Sequence, residues 1–202
     1  MTANNLKVSV VTVCFRAEKS VERTIQSVLS QDYANIEYII IDGASTDKTL
    51  EIIKKYEKNI AKIVSEKDSG IYDAMNKGLR YATGDLVCFL NADDSFYDKG
   101  VVNDVVSVFT KYGDADIVYG KLSFINVPPG RYFHPDTCNK ERKTKLDMIL
   151  HTMPHQATFV KKSVFARVGD FNLRYKIGAD YDWFLRCRNA GVKMRFIDRF
   201  IS

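Results

Sequence analysis

Short apolar runs alternate with longer segments of helical period along the first 120 residues. VSVVTVCF (8–15), IEYIII (36–41), AKIVS (61–65), LVCFL (86–90) and DIVYG (116–120) are rich in Val, Ile, Leu and Phe, as strands buried on both faces of a parallel sheet are. Between them apolar residues recur every three or four positions: Val21, Ile25, Val28 and Leu29; then Ile71, Ala74, Met75, Gly78, Leu79 and Ala82; then Val102, Val105, Val106 and Phe109. GASTDKTLEIIKKY (43–56) turns and enters a further helix, with Ser45, Thr46 or Asp47 able to cap it. Gly84 and Gly113 stand where the third and fourth helices should stop. This β-α-β-α rhythm predicts a parallel sheet covered by helices.

After residue 120 the rhythm breaks. VPPG (127–130) reads as a turn, RYFH (131–134) as a short strand, and residues 140–168 mix helical and extended patterns. A last helix over 180–191 leads to a strand over 192–198. The prediction is one α/β domain over 1–202, with a Rossmann-like, mainly parallel sheet flanked by helices. Residues 1–120 would form a nucleotide-binding half and 121–202 a less regular substrate-binding half. The ending RFIS falls within or just after a strand.

Three of the apolar runs lead into aspartate: Asp42 after 36–41, Asp68 after 61–67, and Asp93 and Asp94 after 86–90. In an open α/β sheet, ligands bind beyond the carboxyl ends of the strands. Four carboxylates gathered there repel one another unless a divalent cation or a hydrogen-bonding ligand removes the cost. A dinucleotide-binding protein would carry GxGxxG after its first strand, but CFRAEKSV has no glycine, and no Walker A sequence is present. Phosphates then need another device, and a metal on NADD (91–94) supplies one; the bland reading of Asp93 and Asp94 is a solvated turn with a helix cap.

Composition narrows the setting. With 46% hydrophobic and 27% charged residues, the 202-residue chain is an ordinary globular protein. MTANNLKVSVV has no signal-peptide character, and no stretch approaches the roughly 18 apolar residues of a membrane span. Cys14, Cys88, Cys138 and Cys187 lack metal-ligand spacing and read as reduced cytosolic thiols. The net charge of +5 comes mostly from scattered residues, with no nucleic-acid signature. The exception is KERKTKLDMIL (140–150), a basic cluster before an apolar run: a surface helix, or an interfacial helix giving peripheral contact with the inner face of the membrane.

VSVVTVCF, IIIDGASTDKT, SEKDSGIYDAMNKGL and GDLVCFLNADD, followed by MPHQATFVKKSVFARVGDFN and IGADYDWFLRCRNAG, resemble the family 2 glycosyltransferases of bacterial polysaccharide synthesis, in order and over nearly the whole chain. The resemblance implies a GT-A fold and transfer with inversion from a nucleoside diphosphate sugar, usually a UDP-sugar, to a glycan or lipid-linked acceptor. It implies that Asp42 reads the base and that Phe15 packs near it. Asp68 matches a donor-side carboxylate. NADD matches the metal-binding segment, with Asn91 in place of the first aspartate, so that Mn²⁺ or Mg²⁺ would rest on Asp93 and Asp94. Asp180 matches the catalytic base, with Ala179 where the family often has glutamate.

The chemistry agrees, since an inverting displacement needs a carboxylate to take the acceptor proton and a cation to neutralise the departing diphosphate. Asp180 and Asp182 lie about 200° apart around a helix, so only one can face the site. Tyr181, Phe184, Leu185 and Arg188 should share a face, and Asp182 should pair with Arg186 one turn on. His155 can contact diphosphate or acceptor, or be purely structural. Trp183 and Phe184 suit a core better than a sugar-stacking platform. Two other readings remain: a nucleotidyltransferase, for which Arg16 and Lys19 make a thin phosphate grip, and a non-catalytic nucleotide- or carbohydrate-binding subunit.

Overall fold

The computed structural model describes residues 5–124 and 153–202, so the turn, short strand and basic cluster expected within 127–150 lie outside the described residues. The five apolar runs become β1 (Val8–Cys14), β2 (Ile36–Asp42), β3 (Lys62–Ser65), β4 (Leu86–Phe89) and β5 (Ile117–Lys121). The helical segments between them become α1 (Val21–Leu29), α2 (Thr49–Lys54), α3 (Ile71–Tyr81) and α4 (Val101–Lys111). Beyond them come β6 (Thr158–Lys161), α5 (Lys162–Val168), α6 (Ala179–Asn189) and β7 (Met194–Phe200). Asp47 shapes the entry to α2, accepting the Thr49 N–H at 3.1 Å.

Among the described residues a seven-stranded sheet runs in the order β3-β2-β1-β4-β6-β5-β7. β1 pairs in parallel with β2 and β4, and β2 with β3. β6 is antiparallel to both β4 and β5, and β5 is parallel to β7. The rhythm predicted a parallel sheet, and the one departure in this sheet is β6, which enters antiparallel between β4 and β5. A four-residue strand such as TFVK carries too little period to announce itself.

The two-residue period of β1 builds both layers. Val8 and Val10 face a core with Val21 and Ile25 of α1 and Val102 and Val105 of α4. Val11 and Val13 face a second core with Met75 and Leu79 of α3, Phe165 of α5, and Trp183 and Cys187 of α6. Each such buried side chain contributes on the order of 1.5–3 kcal/mol. α3 lies close on β1, because a Cβ on Gly78 would stand 2.2 Å from Val11 Cγ1. In α6 the buried stripe is Ala179, Trp183, Phe184 and Cys187, so Trp183 and Phe184 are core residues. The face expected through Tyr181, Leu185 and Arg188 is rotated, because the bulkiest ring, Trp183, takes the interior.

The parallel pairing brings the carboxyl ends of β1 to β4 to one edge. At the opposite edge Glu37 has a structural role. Burial alone would raise its pKa, but donors from Lys7, Ser9 and Thr83 outweigh that and hold it at about 2.

Candidate active site

A cleft of about 480 Å³ opens at the carboxyl edge, large enough for a nucleotide-sized ligand. Phe15, Arg16 and Ser20 line it after β1, Asp68, Gly70 and Ile71 at the entry to α3, and Asn91, Ala92 and Asp93 after β4. Phe15 is 58% exposed, with the Arg16 guanidinium 5.2 Å from its ring centre. Asp68 is fixed by the Gly70 N–H, donated at 2.9 Å. Gly43 passes behind both residues: a Cβ there would stand 2.5 Å from Asp68 Oδ2 and 3.4 Å from Phe15 Cδ2. Arg16 and Ala44 hold positive φ, 51° and 60°, which costs on the order of 1 kcal/mol each. Arg16 N–H to Ser45 Oγ at 2.9 Å and Ala17 N–H to Thr49 Oγ1 at 2.7 Å keep this loop in place.

Asp42 lies behind the wall and is 0% exposed. Its carboxylate accepts the Ser45 hydroxyl at 2.5 Å, the Ser45 N–H at 3.1 Å and the Ser65 hydroxyl at 2.6 Å, with the Cys14 thiol at 3.7 Å. Since Ser45 Oγ also receives the Arg16 N–H, Asp42 is joined to the cleft rim through a serine.

The NADD turn is pinned by α1. Arg23 donates to the Asp93 carbonyl at 2.8 Å and Thr24 to the Asp94 carbonyl at 2.6 Å. The Asp93 side chain is exposed on the cleft. Asp94 is largely enclosed, and its Oδ2, like Asn91 Oδ1, is buried without a hydrogen-bond partner among the described residues. Burial first, then the neighbouring Asp93, push the Asp94 pKa up to about 6. Among the described residues no three His, Cys, Asp or Glu side chains converge as a metal cage. An exposed carboxylate beside two oxygens lacking donors nevertheless suits a hard cation that takes its remaining ligands from phosphate or water.

At the start of α6, Gly178 adopts the left-handed conformation (φ 78°) and turns the chain into the helix. Asp180, in the first turn, accepts at Oδ1 from the Tyr72 hydroxyl at 2.8 Å and the Tyr181 N–H at 2.9 Å, and at Oδ2 from His155 Nδ1 at 2.9 Å. Burial opposes ionisation, yet the His155 and Tyr72 hydrogen bonds win and hold Asp180 below the usual carboxylate range. Tyr72 is pushed to about 12 by burial and by Asp180. His155 Nε2 lies 3.1 Å from Asn91 Nδ2, so Asn91 and His155 join Asp180 to the cleft wall. Asp182 points elsewhere and pairs with Arg186 at 2.9 Å, as its spacing predicted.

Residues 9–169 match the glycosyl transferase family 2 domain. The chain belongs to this family. A PGL/p-HBAD biosynthesis glycosyltransferase of Mycobacterium bovis is 33% identical over 179 residues, 86% of this chain and 66% of that protein. An uncharacterized glycosyltransferase of Mycobacterium tuberculosis is 34% identical over 89% of this chain and 68% of its own. The chain thus spans about two thirds of these relatives. In fold it is similar to Staphylococcus aureus TarS, with a TM-score of 0.82 at 18% identity over 97% of this chain and 36% of that one. TarS 1–349 has also been solved with UDP-GlcNAc, at a TM-score of 0.80 and 20% identity over 97% of this chain and 57% of that one. A Pyrobaculum calidifontis mannosyltransferase in complex with GDP-Man and Mn²⁺ aligns at a TM-score of 0.73 and 19% identity, over 96% and 55% of the two chains.

In this family 2 domain, Phe15, Asp68 and Asp93 stand on one cleft, with Asp94 in the adjoining turn. Asp42 lies behind the wall, and His155 and Asp180 form a separate pair linked to it. Tyr72 went unread. It is 108 residues from Asp180, and the apolar stripe read along its helix from Ile71 to Ala82 does not include it.

Proposed function

We propose that the protein is an inverting glycosyltransferase that moves a sugar from a nucleoside diphosphate sugar, a UDP-sugar, to a hydroxyl of a glycan or lipid-linked acceptor. The observation that carries this reading is the joining, through Asn91 and His155, of a nucleotide-sized cleft to a carboxylate held ionised. The binding of UDP-GlcNAc by TarS, and of GDP-Man with Mn²⁺ by the mannosyltransferase, supports it.

In this reading residues 1–120 hold the donor and 121–202 meet the acceptor. Phe15 packs near the base, Asp42 sets the base end through Ser45, and Asp68 faces the donor. Asp93 and Asp94 would hold Mn²⁺ or Mg²⁺, which would neutralise charge gathering on the departing diphosphate. Asp180 is the general base. Its Oδ1 already accepts two hydrogen bonds and its Oδ2 one, so Oδ2 keeps a lone pair for the acceptor proton. As that proton passes to Oδ2, the acceptor oxygen bonds to the anomeric carbon. The bond from that carbon to the phosphate oxygen breaks, and UDP leaves with its electrons.

No helix among the described residues is long and apolar enough to cross a membrane. We place the enzyme in the cytoplasm with peripheral contact at the membrane, supported by the basic cluster at 140–145. Binding to anionic vesicles that raised salt does not weaken would remove this part.

Incubation with UDP-glucose, UDP-galactose and UDP-N-acetylglucosamine, with and without Mn²⁺, tests the assignment. Metal-stimulated release of UDP is expected. Binding without turnover would indicate a non-catalytic subunit. Turnover only of nucleoside triphosphate with sugar phosphate would indicate a nucleotidyltransferase.

A further inference from the structure

Position 91 is where the chain carries asparagine in its aspartate-rich turn, and the hydrogen bonds around it give that choice a purpose. Asp180, ionised, can only accept, so the proton between it and His155 belongs to Nδ1. Nε2, facing an amide nitrogen that can only donate, is then the acceptor. Asn91 Nδ2, 3.1 Å away, is the donor, and an ionised aspartate at the same position has no proton to give.

We infer that Asn91 is a positioning residue for Asp180, acting through His155, and that its amide N–H is the reason asparagine stands at this position. The inference rests on the reading of Asp180 as the base. The linked groups come from the loop after β4, the short 3-10 turn His155–Ala157 and the first turn of α6, while Tyr72 of α3 holds the other oxygen of the carboxylate. Tyr72 is itself oriented by the Gly178 N–H at 3.1 Å. Asp180 is thereby gripped from both sides, and the Oδ2 lone pair keeps one direction. The two ends of the Asn91 amide serve different partners. Its N–H goes to His155, and its Oδ1 is buried without a hydrogen-bond partner among the described residues, in a side chain that lines the cleft with Asp93. The donor and acceptor sides of the reaction thus meet in one side chain. Displacing a base by about 1 Å can cost on the order of 100-fold in rate, so a fixed link between the two sides has catalytic value.

The test is Asn91→Asp, nearly isosteric and restoring the family's aspartate. The expected result is a fall in kcat of about 10- to 100-fold, with donor KM unchanged and UDP affinity in Mn²⁺ unchanged or tighter. If asparagine were only a weakened cation ligand, the same change would tighten Mn²⁺ and maintain or raise the rate; a rate at or above wild type overturns the inference. The imidazole ¹⁵N spectrum gives a readout that needs no substrate. At neutral pH the wild-type His155 ring is expected to carry its single proton on Nδ1, and Asn91→Asp is expected to abolish that pattern. A wild-type ring protonated on Nε2, or an unchanged spectrum in the variant, also overturns the inference. Asp180→Asn, assayed in parallel, separates the two claims. Full transfer by that variant removes the base assignment, whereas an inactive Asp180→Asn beside a fully active Asn91→Asp removes only the role of Asn91.

Discussion

The NADD turn and the first turn of α6 treat the same side chain in opposite ways. Asp94 is enclosed, one of its oxygens has no donor, and its pKa rises to about 6. Asp180 is also enclosed, but three donors surround its oxygens, and its pKa falls below the usual range. Burial acts on both in the same direction; at Asp94 the neighbouring Asp93 adds to it, whereas at Asp180 the donors outweigh it. A carboxylate with one oxygen left without a donor beside a second carboxylate is suited to a positively charged ligand, and one whose oxygens are both supplied with donors stays an anion that can take a proton from a substrate. The contrast divides the proposed chemistry between charge neutralisation at the turn and proton transfer at the helix.

The largest expected effect breaks the contrast at its catalytic end. Asp180→Asn should keep UDP and metal binding but lose transfer by roughly 10²- to 10⁴-fold, because only the transition state needs the proton acceptor. Asp182→Asn, which loses only the pair with Arg186, should transfer nearly normally. Comparing initial transfer rates decides this, and robust transfer by Asp180→Asn would remove it from the base role.

Asp42 sharpens the contrast as a third carboxylate, supplied with donors like Asp180 but closed to the cleft. Asp42→Ala leaves the Ser45 and Ser65 hydroxyls and the Ser45 N–H without their acceptor. Stability should fall by about 1–3 kcal/mol. UDP should bind more weakly with or without Mn²⁺, since the rim at Arg16 loses its anchor. Denaturant melts with UDP calorimetry check both, and unchanged UDP affinity would separate Asp42 from the base end.

The smallest expected effect concerns pH. The Asp94 pKa is raised in the folded protein, so its contribution to stability is fully present below the unfolded value near 4 and is lost as pH rises through about 6. Asp94→Asn should therefore stabilise the metal-free protein at pH 7.5 by roughly 1–2 kcal/mol and do little at pH 4. Thermal melts in EDTA at the two pH values test this, and an equal effect at both would contradict the account of Asp94.

The part of the site built by strand ends was legible in the sequence. Asp42, Asp68 and Asp93 follow apolar runs, and parallel pairing then brings them to one edge. The pairing of Asp182 with Arg186 followed from helical spacing, and the core role of Trp183 from the size of its apolar ring, although the face read from spacing left Trp183 out. Contacts made by folding were not legible: β6 entering antiparallel between β4 and β5, Tyr72 reaching Asp180, and Asn91 serving His155. No local period encodes a bond across 108 or 64 residues. That Asp42 would be enclosed was hidden for a related reason, because its donors include Ser65, 23 residues further on.

In the proposed function this edge of the sheet would bind a nucleoside diphosphate together with a divalent cation that Asp93 and Asp94 would hold. The most direct measurement is calorimetric titration of UDP into the wild-type protein and Asp93→Ala, each in Mn²⁺ and in EDTA. UDP should bind the wild type, more tightly in Mn²⁺, and Asp93→Ala should bind with an affinity that Mn²⁺ no longer improves. Absence of UDP binding by the wild type in either buffer, or the same gain from Mn²⁺ in both proteins, would contradict the account.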